Sequence, residues 1–375
     1  MKALVIGGGI AGPTTALALQ KAGIESVVFE AYDTTADGVG GMLTVAPNGL
    51  AALGIAGLSP DFGDPLRHMV MADAQGRTLG RISGGVSRVV TRAELYQRLR
   101  ERTAAQQIKV EYGKRLEDVE HHENGVTATF SDGSTESGDV LIGADGIRSR
   151  VREIIDPGAP GPEYVGLLGF GSYAENSGVH GEPETMYFVF GSSFLGYWQQ
   201  PDGTVAWFNN LAVPEPAATA PGDVWLERLR EAYGDDMPAK QLLAHSHEVV
   251  AAGPLEIMPS VPRWHRGRMV LVGDSAHAPS ASSGQGASLA AESAVQLARC
   301  LRDIPDLTQA FATYERLRRP RVERIAARAA RTNSNKRGIG PVTRLLMPLV
   351  MKAFGAKAFT KDQNYRIDWD AQVSR

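Results

Sequence analysis

Apolar and polar positions alternate with two different periods near the start of the chain. Residues 2–6 form a short apolar run that meets the glycine-rich stretch Gly7–Gly12, and residues 14–21 then alternate at helical spacing. A second apolar run, residues 26–29, ends at the acid Glu30. This pattern predicts a strand, a tight turn, a helix and a second strand, which together form a βαβ unit.

Two further runs of this kind end in an acid. Residues 139–142 lead into Gly143-Ala144-Asp145-Gly146, and residues 269–272 lead into Gly273-Asp274, after which we expect a helix to begin at about Ser288. The run 125–130, followed by turn-forming residues, predicts another strand. Short apolar strands between helices are typical of a parallel sheet in an α/β fold.

The pattern changes between residues 166 and 212. Three β-prone pieces rich in aromatic residues, 186–190, 194–198 and 205–211, are separated by turn signals. They predict an antiparallel meander, and so a mixed or antiparallel sheet that interrupts the parallel one.

Two C-terminal stretches follow, one predicted to be a helix and the other to cap or pack on the second sheet. Residues 308–332 look helical, with many arginines balanced by Glu315 and Glu323, and we expect a solvated helical face. The apolar tail 338–358 would cap the second sheet or pack on it, rather than pair subunits or lie on a membrane surface.

Composition narrows the classes of function. The 375 residues carry a formal net charge of −3 with interspersed signs, which gives no reason to expect a nucleic-acid partner. No apolar run is long enough to predict a membrane span. Cys300 is the only cysteine, which excludes an internal disulfide framework and a cysteine metal cluster and fits a cytoplasmic location. We expect no metal site.

The first glycine stretch has the spacing of a dinucleotide-binding turn. Gly7 permits the tight turn, Gly9 lets the backbone approach a pyrophosphate, and Gly12 allows close packing of helix on strand. Glu30 would bind the adenosine ribose and repel a 2′-phosphate, which favours FAD or NAD over NADP as the resident nucleotide.

The stretch from residue 273 to residue 287 suggests a flavin. Asp274 would accept hydrogen bonds from a ribityl chain, although an acid before a helix is more often an N-cap. The backbone of Gly284, Gln285, Gly286 and Ala287 would approach a flat ring at a helix start that favours negative charge.

Together these motifs resemble a known family. Gly7–Gly12 with Glu30, residues 143–152, and Gly273–His277 with Gly284-Gln285-Gly286 are similar to the three fingerprints of the single-component, p-hydroxybenzoate-hydroxylase-like FAD-dependent flavoprotein monooxygenases. The resemblance covers roughly residues 1–330. It implies a Rossmann-like FAD-binding domain with a parallel sheet, interrupted by a mixed or antiparallel substrate domain and followed by C-terminal helices. We expect the FAD-binding domain at 1–66, 91–163 and 263–332, the substrate domain at 67–90 and 164–262, and the C-terminal helical segment at 333–375.

The resemblance also implies roles for individual residues. Arg92 would reach the pyrophosphate and ribityl region, the backbone of Leu116 would meet adenine, and Asp145 with Gly146 would contact FAD and transient NADH or NADPH. His277 would be structural. Residues 38–43 resemble the loop beside the isoalloxazine ring, and Ala281 stands where the family usually has a proline.

The implied activity is hydroxylation of an aromatic or polycyclic small molecule through a flavin hydroperoxide, at the expense of NAD(P)H, by a monomer or homodimer. Four aromatic residues would wall the substrate pocket, although each would equally serve core packing: Phe188, Phe190, Trp198 and Trp207. Another flavin-dependent oxidoreductase, reductase-like or halogenase-like, and a non-catalytic nucleotide-binding sensor remain alternatives.

Overall fold

The described residues form three sheets, of which the first is largely parallel. The computed structural model describes residues 1–34, 41–214, 222–336 and 356–373. Strands and helices are numbered in chain order. In spatial order the sheet contains β16 (His265–Arg266), β17 (Met269–Leu271), β10 (Val140–Gly143), β1 (Lys2–Ile6), β2 (Glu25–Phe29) and β6 (Lys109–Glu111). Only the β16–β17 pair is antiparallel.

The apolar runs of this sheet are buried because helices cover it. Leu4, Val28, Leu141 and Val270 are completely buried, as expected for parallel strands with both faces covered. The helices of the main core are α1 (Ala11–Lys21), α2 (Pro47–Ile55), α3 (Arg92–Ala105), α4 (Arg150–Ile155), α7 (Gly286–Asp303) and α8 (Leu307–Lys336). Because β1, β10 and β17 run parallel, the turns that follow them lie together at the carboxyl edge of the sheet, where α/β proteins bind ligands.

The second sheet has eight strands and mixed direction. In spatial order it contains β15 (Val250–Ile257), β11 (Glu163–Ala174), β14 (Val205–Ala212), β13 (Phe194–Gln199), β12 (Thr185–Phe190), β4 (Asp64–Asp73), β5 (Thr78–Thr91) and β3 (Met42–Val45). The predicted meander is present as β12, β13 and β14, which pair antiparallel, whereas β12 pairs parallel with β4. A parallel sheet interrupted by a mixed sheet confirms the predicted fold class.

A small antiparallel sheet packs beside the first sheet. Its strands are β7 (Leu116–His121), β8 (Val126–Phe130) and β9 (Thr135–Gly138). Two helices, α5 (Gly222–Tyr233) and α6 (Ala239–Ala244), pack on one face of the eight-stranded sheet, where Trp225, Leu229 and Leu242 share a core with Leu195. This face is therefore closed to a ligand by helices.

The arginines of α8 do not form the solvated face expected for 308–332. Arg318 is completely buried and Arg321 is 6% exposed. Both pair with Glu292 of α7, at 2.7 Å from Arg318 and 2.8 Å from Arg321. The expectation is wrong for these two residues because a buried carboxylate on the neighbouring helix pairs with them, although Arg319 remains partly exposed.

The chain ends on the outside of the first sheet's helices. The C-terminal helix α9 (Ala356–Gln363) is followed by a segment in which the Trp369 ring lies between Lys21 and Arg302, at 5.3 Å and 4.7 Å from its centroid. Arg302 also donates a hydrogen bond to the Trp369 carbonyl oxygen. Residues 38–40 and 338–355, on which two of our expectations fall, lie outside the described residues. Of the helices within the described ranges, none has the length and apolar character needed to cross a membrane.

Candidate active site

The glycine turn after β1 is packed too closely for side chains. Gly7 has φ +110°, and a Cβ there would lie 2.4 Å from the carbonyl oxygen of Ala144. A Cβ on Gly12 would lie 1.8 Å from the carbonyl oxygen of Gly7. At Gly9, by contrast, a Cβ would meet only the Tyr96 ring, 3.6 Å from its hydroxyl. The turn is thus fixed on its protein side and leaves the backbone of Gly9 approachable.

Glu30 holds this turn in place. Its Oε2 accepts a hydrogen bond from the Gly8 amide at 2.5 Å, and its Oε1 accepts one from the Tyr32 amide at 3.0 Å. The Glu30 carbonyl oxygen accepts from the Lys114 amide, which brings the connection to β7 alongside the end of β2. Leu116 follows in β7, where its side chain is 6% exposed and lies in the main core.

Asp274 lies close to Arg92 across the carboxyl edge of the first sheet. Asp274 belongs to a 3₁₀ helix, Gly273–Ser275, and among the described residues its carboxylate accepts no hydrogen bond. The N-cap residues of this 3₁₀ helix and of α7 are Val272 and Gln285. The structure therefore does not show Asp274 as the N-cap that we gave as its alternative role. Burial raises the pKa of Asp274 to about 6, and the positive charge of Arg92 opposes the rise. Partly buried and without a hydrogen bond from the described residues, this carboxylate is suited to accept hydrogen bonds from a ligand.

Tyr96 is a residue that our reading of the sequence missed. Burial raises its pKa, with Arg92 acting against the rise and the negative charges of Asp274 and Glu30 adding to it. Tyr96 stands one helical turn after Arg92 on α3, so the two share a face. That spacing is the signal from which Tyr96 could have been found. The structure thus brings Gly9, Glu30, Arg92, Tyr96 and Asp274 into one electrostatic neighbourhood.

The stretch before α7 presents an open backbone. Gly284 has φ +58° and follows the 3₁₀ helix Ala281–Ser283, and a Cβ on Gly284 or Gly286 would contact nothing within 4 Å. The helix begins at Gly286, two residues earlier than expected. Ser288, in its first turn, is buried and accepts a hydrogen bond from the Ala46 amide. The first amides of α7 have no partners within the helix and form its positive end.

Asn48 is a second residue missed from the sequence. Its Nδ2 donates to Gln285 Oε1 at 2.9 Å and to Glu292 Oε1 at 2.7 Å, and its Oδ1 is buried without a partner among the described residues. The Pro47-Asn48-Gly49 stretch was visible, but no local pattern shows a contact across more than 230 residues of chain.

The Asp145 carboxylate forms hydrogen bonds within the turn that follows β10. Its Oδ1 accepts from the Ser149 hydroxyl at 2.5 Å and its Oδ2 from the Val151 amide at 3.1 Å. Burial raises the pKa of Asp145, and the hydrogen bonds from Ser149 and Val151 act against the rise. Gly146, with φ +79° and no atom within 4 Å of a built Cβ, leaves the backbone beside it open. A contact of this turn with FAD or a nicotinamide stays a prediction.

The four aromatic candidates do not lie on one face of the second sheet. Because side chains alternate along a strand, Trp207 points to the face covered by α5 and α6, where its Nε1 donates to the Ser246 hydroxyl at 2.8 Å. This placement favours core packing for Trp207. Phe188, Phe190 and Trp198 lie on the other face.

That other face is aromatic. Phe194 lies 5.7 Å from Phe188, 5.5 Å from Phe190 and 5.9 Å from Phe208, measured between ring centroids. Trp198 is 3% exposed, and its Nε1 has no partner among the described residues. Met42, which follows the glycine-rich loop 38–41, packs on this face, whereas α5 and α6 do not. We name the face of Phe188, Phe190, Phe194, Trp198 and Phe208 the aromatic face.

His277 has a structural environment. It is 8% exposed, its Nε2 lies 2.8 Å from the Ser293 hydroxyl, and its ring packs on Trp264. Burial lowers the pKa of His277 to about 3, and the positive charge of Arg318 lowers it further. The ring is therefore neutral at pH 7. Among the described residues no group of His, Cys, Asp and Glu is arranged to hold a metal ion.

These residues fit FAD. No side chain of the described residues fills the space beside the backbone at Gly9, Gly146 and Gly286. This space leaves room for the phosphate and ring atoms of the cofactor. The Asp274 carboxylate, which accepts no hydrogen bond within the described residues, suits a ligand that carries hydroxyl or N–H donors. A polyol chain that ends in a flat heterocycle has such donors.

Comparisons with known proteins agree with this fit. A family model described as an FAD binding domain matches residues 1–329. An FAD-dependent urate hydroxylase of Klebsiella pneumoniae is 31% identical over 344 residues, which cover 88% of each chain. The 6-hydroxynicotinate 3-monooxygenase of Pseudomonas fluorescens is 29% identical over 353 residues, which cover 86% of this chain and 88% of that one.

The fold agrees as well. The crystal structure of Klebsiella pneumoniae HpxO complexed with FAD and uric acid superposes with a TM-score of 0.85 at 26% identity, covering 97% of this chain and 96% of that one. The FAD cofactor and the monooxygenase class expected from the three motifs are thereby confirmed. The chain belongs to this FAD-binding family of monooxygenases.

Proposed function

We propose that this member of the family hydroxylates an apolar aromatic small molecule, with NADH or NADPH as the reductant. The observation that carries the proposal is the aromatic face. It is the face of the second sheet that α5 and α6 leave uncovered, and Met42, which follows the loop predicted to lie beside the flavin ring, packs on it. Aromatic side chains favour stacked or edge-on contacts with an aromatic ligand.

Three groups of residues would hold FAD. Gly7, Gly9, Gly12 and Glu30 would bind its ADP half, with the backbone at Leu116 next to adenine. Arg92 and Asp274 would bind the pyrophosphate and ribityl region, because a cation and a carboxylate that accepts no hydrogen bond within the described residues lie within electrostatic range of each other. Gly284, Gln285, Gly286 and Ala287 would meet the ring at the positive end of α7.

The chain itself needs little acid or base chemistry for this reaction. When bound, FAD supplies the redox chemistry, because a flavin takes reducing equivalents from a nicotinamide and activates dioxygen. The side chains orient the substrate and exclude water. His277 is neutral at pH 7 and engaged with Ser293, so it would not serve as a general base.

The relatives indicate which ring chemistry to expect here. Their names report hydroxylation of urate and of 6-hydroxynicotinate, both polar heteroaromatic compounds. The aromatic face of this chain carries phenylalanine and tryptophan side chains, and the Trp198 N–H has no partner within the described ranges. We therefore expect a less polar ring system than urate.

Anaerobic mixing of the FAD-loaded protein with NADH or NADPH tests the proposal. Loss of flavin absorbance, accelerated by one class of a panel of phenols, quinolones and polyketide aromatics but not by urate, is the expected result. Flavin that stays oxidised with both nucleotides and every ligand would contradict the proposal and favour a non-catalytic binding protein. Acceleration by urate alone would contradict the apolar substrate.

A further inference from the structure

We propose that Asn48 is a positioning residue that fastens Gln285, at the start of α7, to a buried ion cluster and thereby fixes the backbone that meets the flavin ring. This inference rests on the proposed function, because it takes the flavin ring to lie at Gln285. It concerns a residue on α2 that none of the glycine or acid motifs includes.

The orientation of the Asn48 amide is determined by its partners. Glu292 is an ionised carboxylate that only accepts hydrogen bonds, so the atom 2.7 Å from its Oε1 must be the Asn48 nitrogen. The same nitrogen lies 2.9 Å from Gln285 Oε1. Asn48 is 1% exposed, so solvent does not compete for these two bonds. One amide group thus joins Gln285 to Glu292.

The bond from Asn48 also sets which group Gln285 offers to a ligand. With Oε1 held by Asn48, the Nε2 of Gln285 remains a donor that has no partner among the described residues. The backbone N–H of Gln285 donates to the Ser283 hydroxyl at 3.0 Å. Side chain and backbone are both held one residue before the open Gly286, and a change at Asn48 would therefore move this stretch.

The ion cluster is a rigid support for Asn48. Glu292 is 1% exposed and binds Arg321 through both oxygens, at 2.8 Å each, and Arg318 at 2.7 Å. Burial by itself raises the pKa of Glu292, but the charges of the two arginines outweigh it, and the pKa is lowered. Arg321 also donates to the Asp362 carbonyl oxygen of α9 at 2.8 Å. Support for the start of α7 therefore reaches the last helix of the chain.

A double-mutant cycle on FAD affinity tests the inference. The protein is stripped of FAD and titrated with it, with flavin fluorescence as the signal. We expect Asn48→Ala and Gln285→Ala each to bind FAD about tenfold more weakly, the loss of one well-placed hydrogen bond. The double variant should bind no more weakly than the weaker single variant, because both changes remove the same contact. The absorption spectrum of the bound flavin should shift in both single variants.

A matched control and the contrary outcomes complete the test. Glu323→Gln removes an exposed carboxylate of α8 that contacts Ser260 and Arg319 but not Asn48, and should bind FAD like the parent. Multiplied losses in the double variant, or parent affinity and an unchanged flavin spectrum in Asn48→Ala, would overturn the inference. If Asn48→Ala does not fold, Asn48→Ser takes its place in the cycle. A parent that binds no FAD would instead contradict the proposed function.

Discussion

The amide of Gly8 lies 2.5 Å from a carboxylate oxygen of Glu30. The acid that ends β2 is therefore part of the glycine turn as well as a candidate ligand of the ribose. The second carboxylate oxygen is engaged by the Tyr32 amide at 3.0 Å. Loss of the side chain would affect both the shape of the turn and its affinity for a nucleotide.

Replacement of Glu30 should weaken FAD binding in two steps. Glu30→Gln keeps an oxygen that accepts from Gly8 but loses the charge, whereas Glu30→Ala loses both. We expect affinity to fall from parent to Gln to Ala, with a total loss of about 1.5 to 3 kcal/mol for a charge-assisted acceptor. Titration with FAD measures the order, and circular dichroism checks that the fold is kept. Equal affinity in all three proteins would exclude Glu30 as a ligand.

Asp274 should make the stability of the FAD-free protein depend on pH. Burial raises its pKa from 3.8 to about 6, so between these values the folded state holds a proton that the unfolded chain has lost. The free energy of unfolding therefore falls as pH rises through this window. Asp274→Asn does not ionise at this position. The difference in the free energy of unfolding between this variant and the parent should therefore grow in the variant's favour across this window, by no more than about 2 kcal/mol, with allowance for partial exposure.

Urea unfolding at several pH values measures this difference. It should level off above pH 6, and a difference that is constant across the window would show that Asp274 is not buried as a charge. In a separate titration at pH 7, Asp274→Ala should retain FAD less well than the parent, since it removes an acceptor that no described residue engages. Unchanged affinity would remove Asp274 from the cofactor site.

The buried pairs of Arg318 should matter far more to stability than an exposed pair. Arg318→Leu leaves the Glu292 carboxylate buried with one cation fewer, and the free energy of unfolding should fall by about 3 to 5 kcal/mol. The matched control Arg98→Leu breaks an exposed pair with Glu94 on α3 and should cost about 1 kcal/mol or less. Urea unfolding of both variants decides, and similar costs would contradict the role given to the cluster.

Local patterns predicted some of these features, and tertiary contacts decided the others. The turn from Gly7 to Gly12 with Glu30 was predictable because its chemistry lies within one βαβ unit. Whether Trp207 points to the helices or to the aromatic face depends on which side of the sheet α5 and α6 cover, which period-two alternation does not reveal. Arg318 was misjudged because its partner, Glu292, lies on another helix.

Ala281→Pro should improve the coupling of NAD(P)H oxidation to hydroxylation. The variant should fold, because Ala281 opens a 3₁₀ helix and Ser280, at φ −50° and ψ 145°, already has the conformation required before proline. Proline removes an amide donor and stiffens the backbone at a position where the family usually has a proline. Product and hydrogen peroxide are measured per NAD(P)H consumed. An unchanged or lower product ratio in the FAD-loaded variant would contradict the prediction.

Incorporation of isotopically labelled dioxygen tests the central claim most directly. The FAD-loaded protein is incubated under labelled oxygen with NADH or NADPH and each member of the aromatic panel, and the products are examined by mass spectrometry. We predict that one apolar aromatic compound gains a single labelled oxygen atom. One NAD(P)H should be consumed per molecule of product, after subtraction of the NAD(P)H that yields hydrogen peroxide. NAD(P)H consumption that yields only hydrogen peroxide with every compound, or a product whose new oxygen comes from water, would contradict the account.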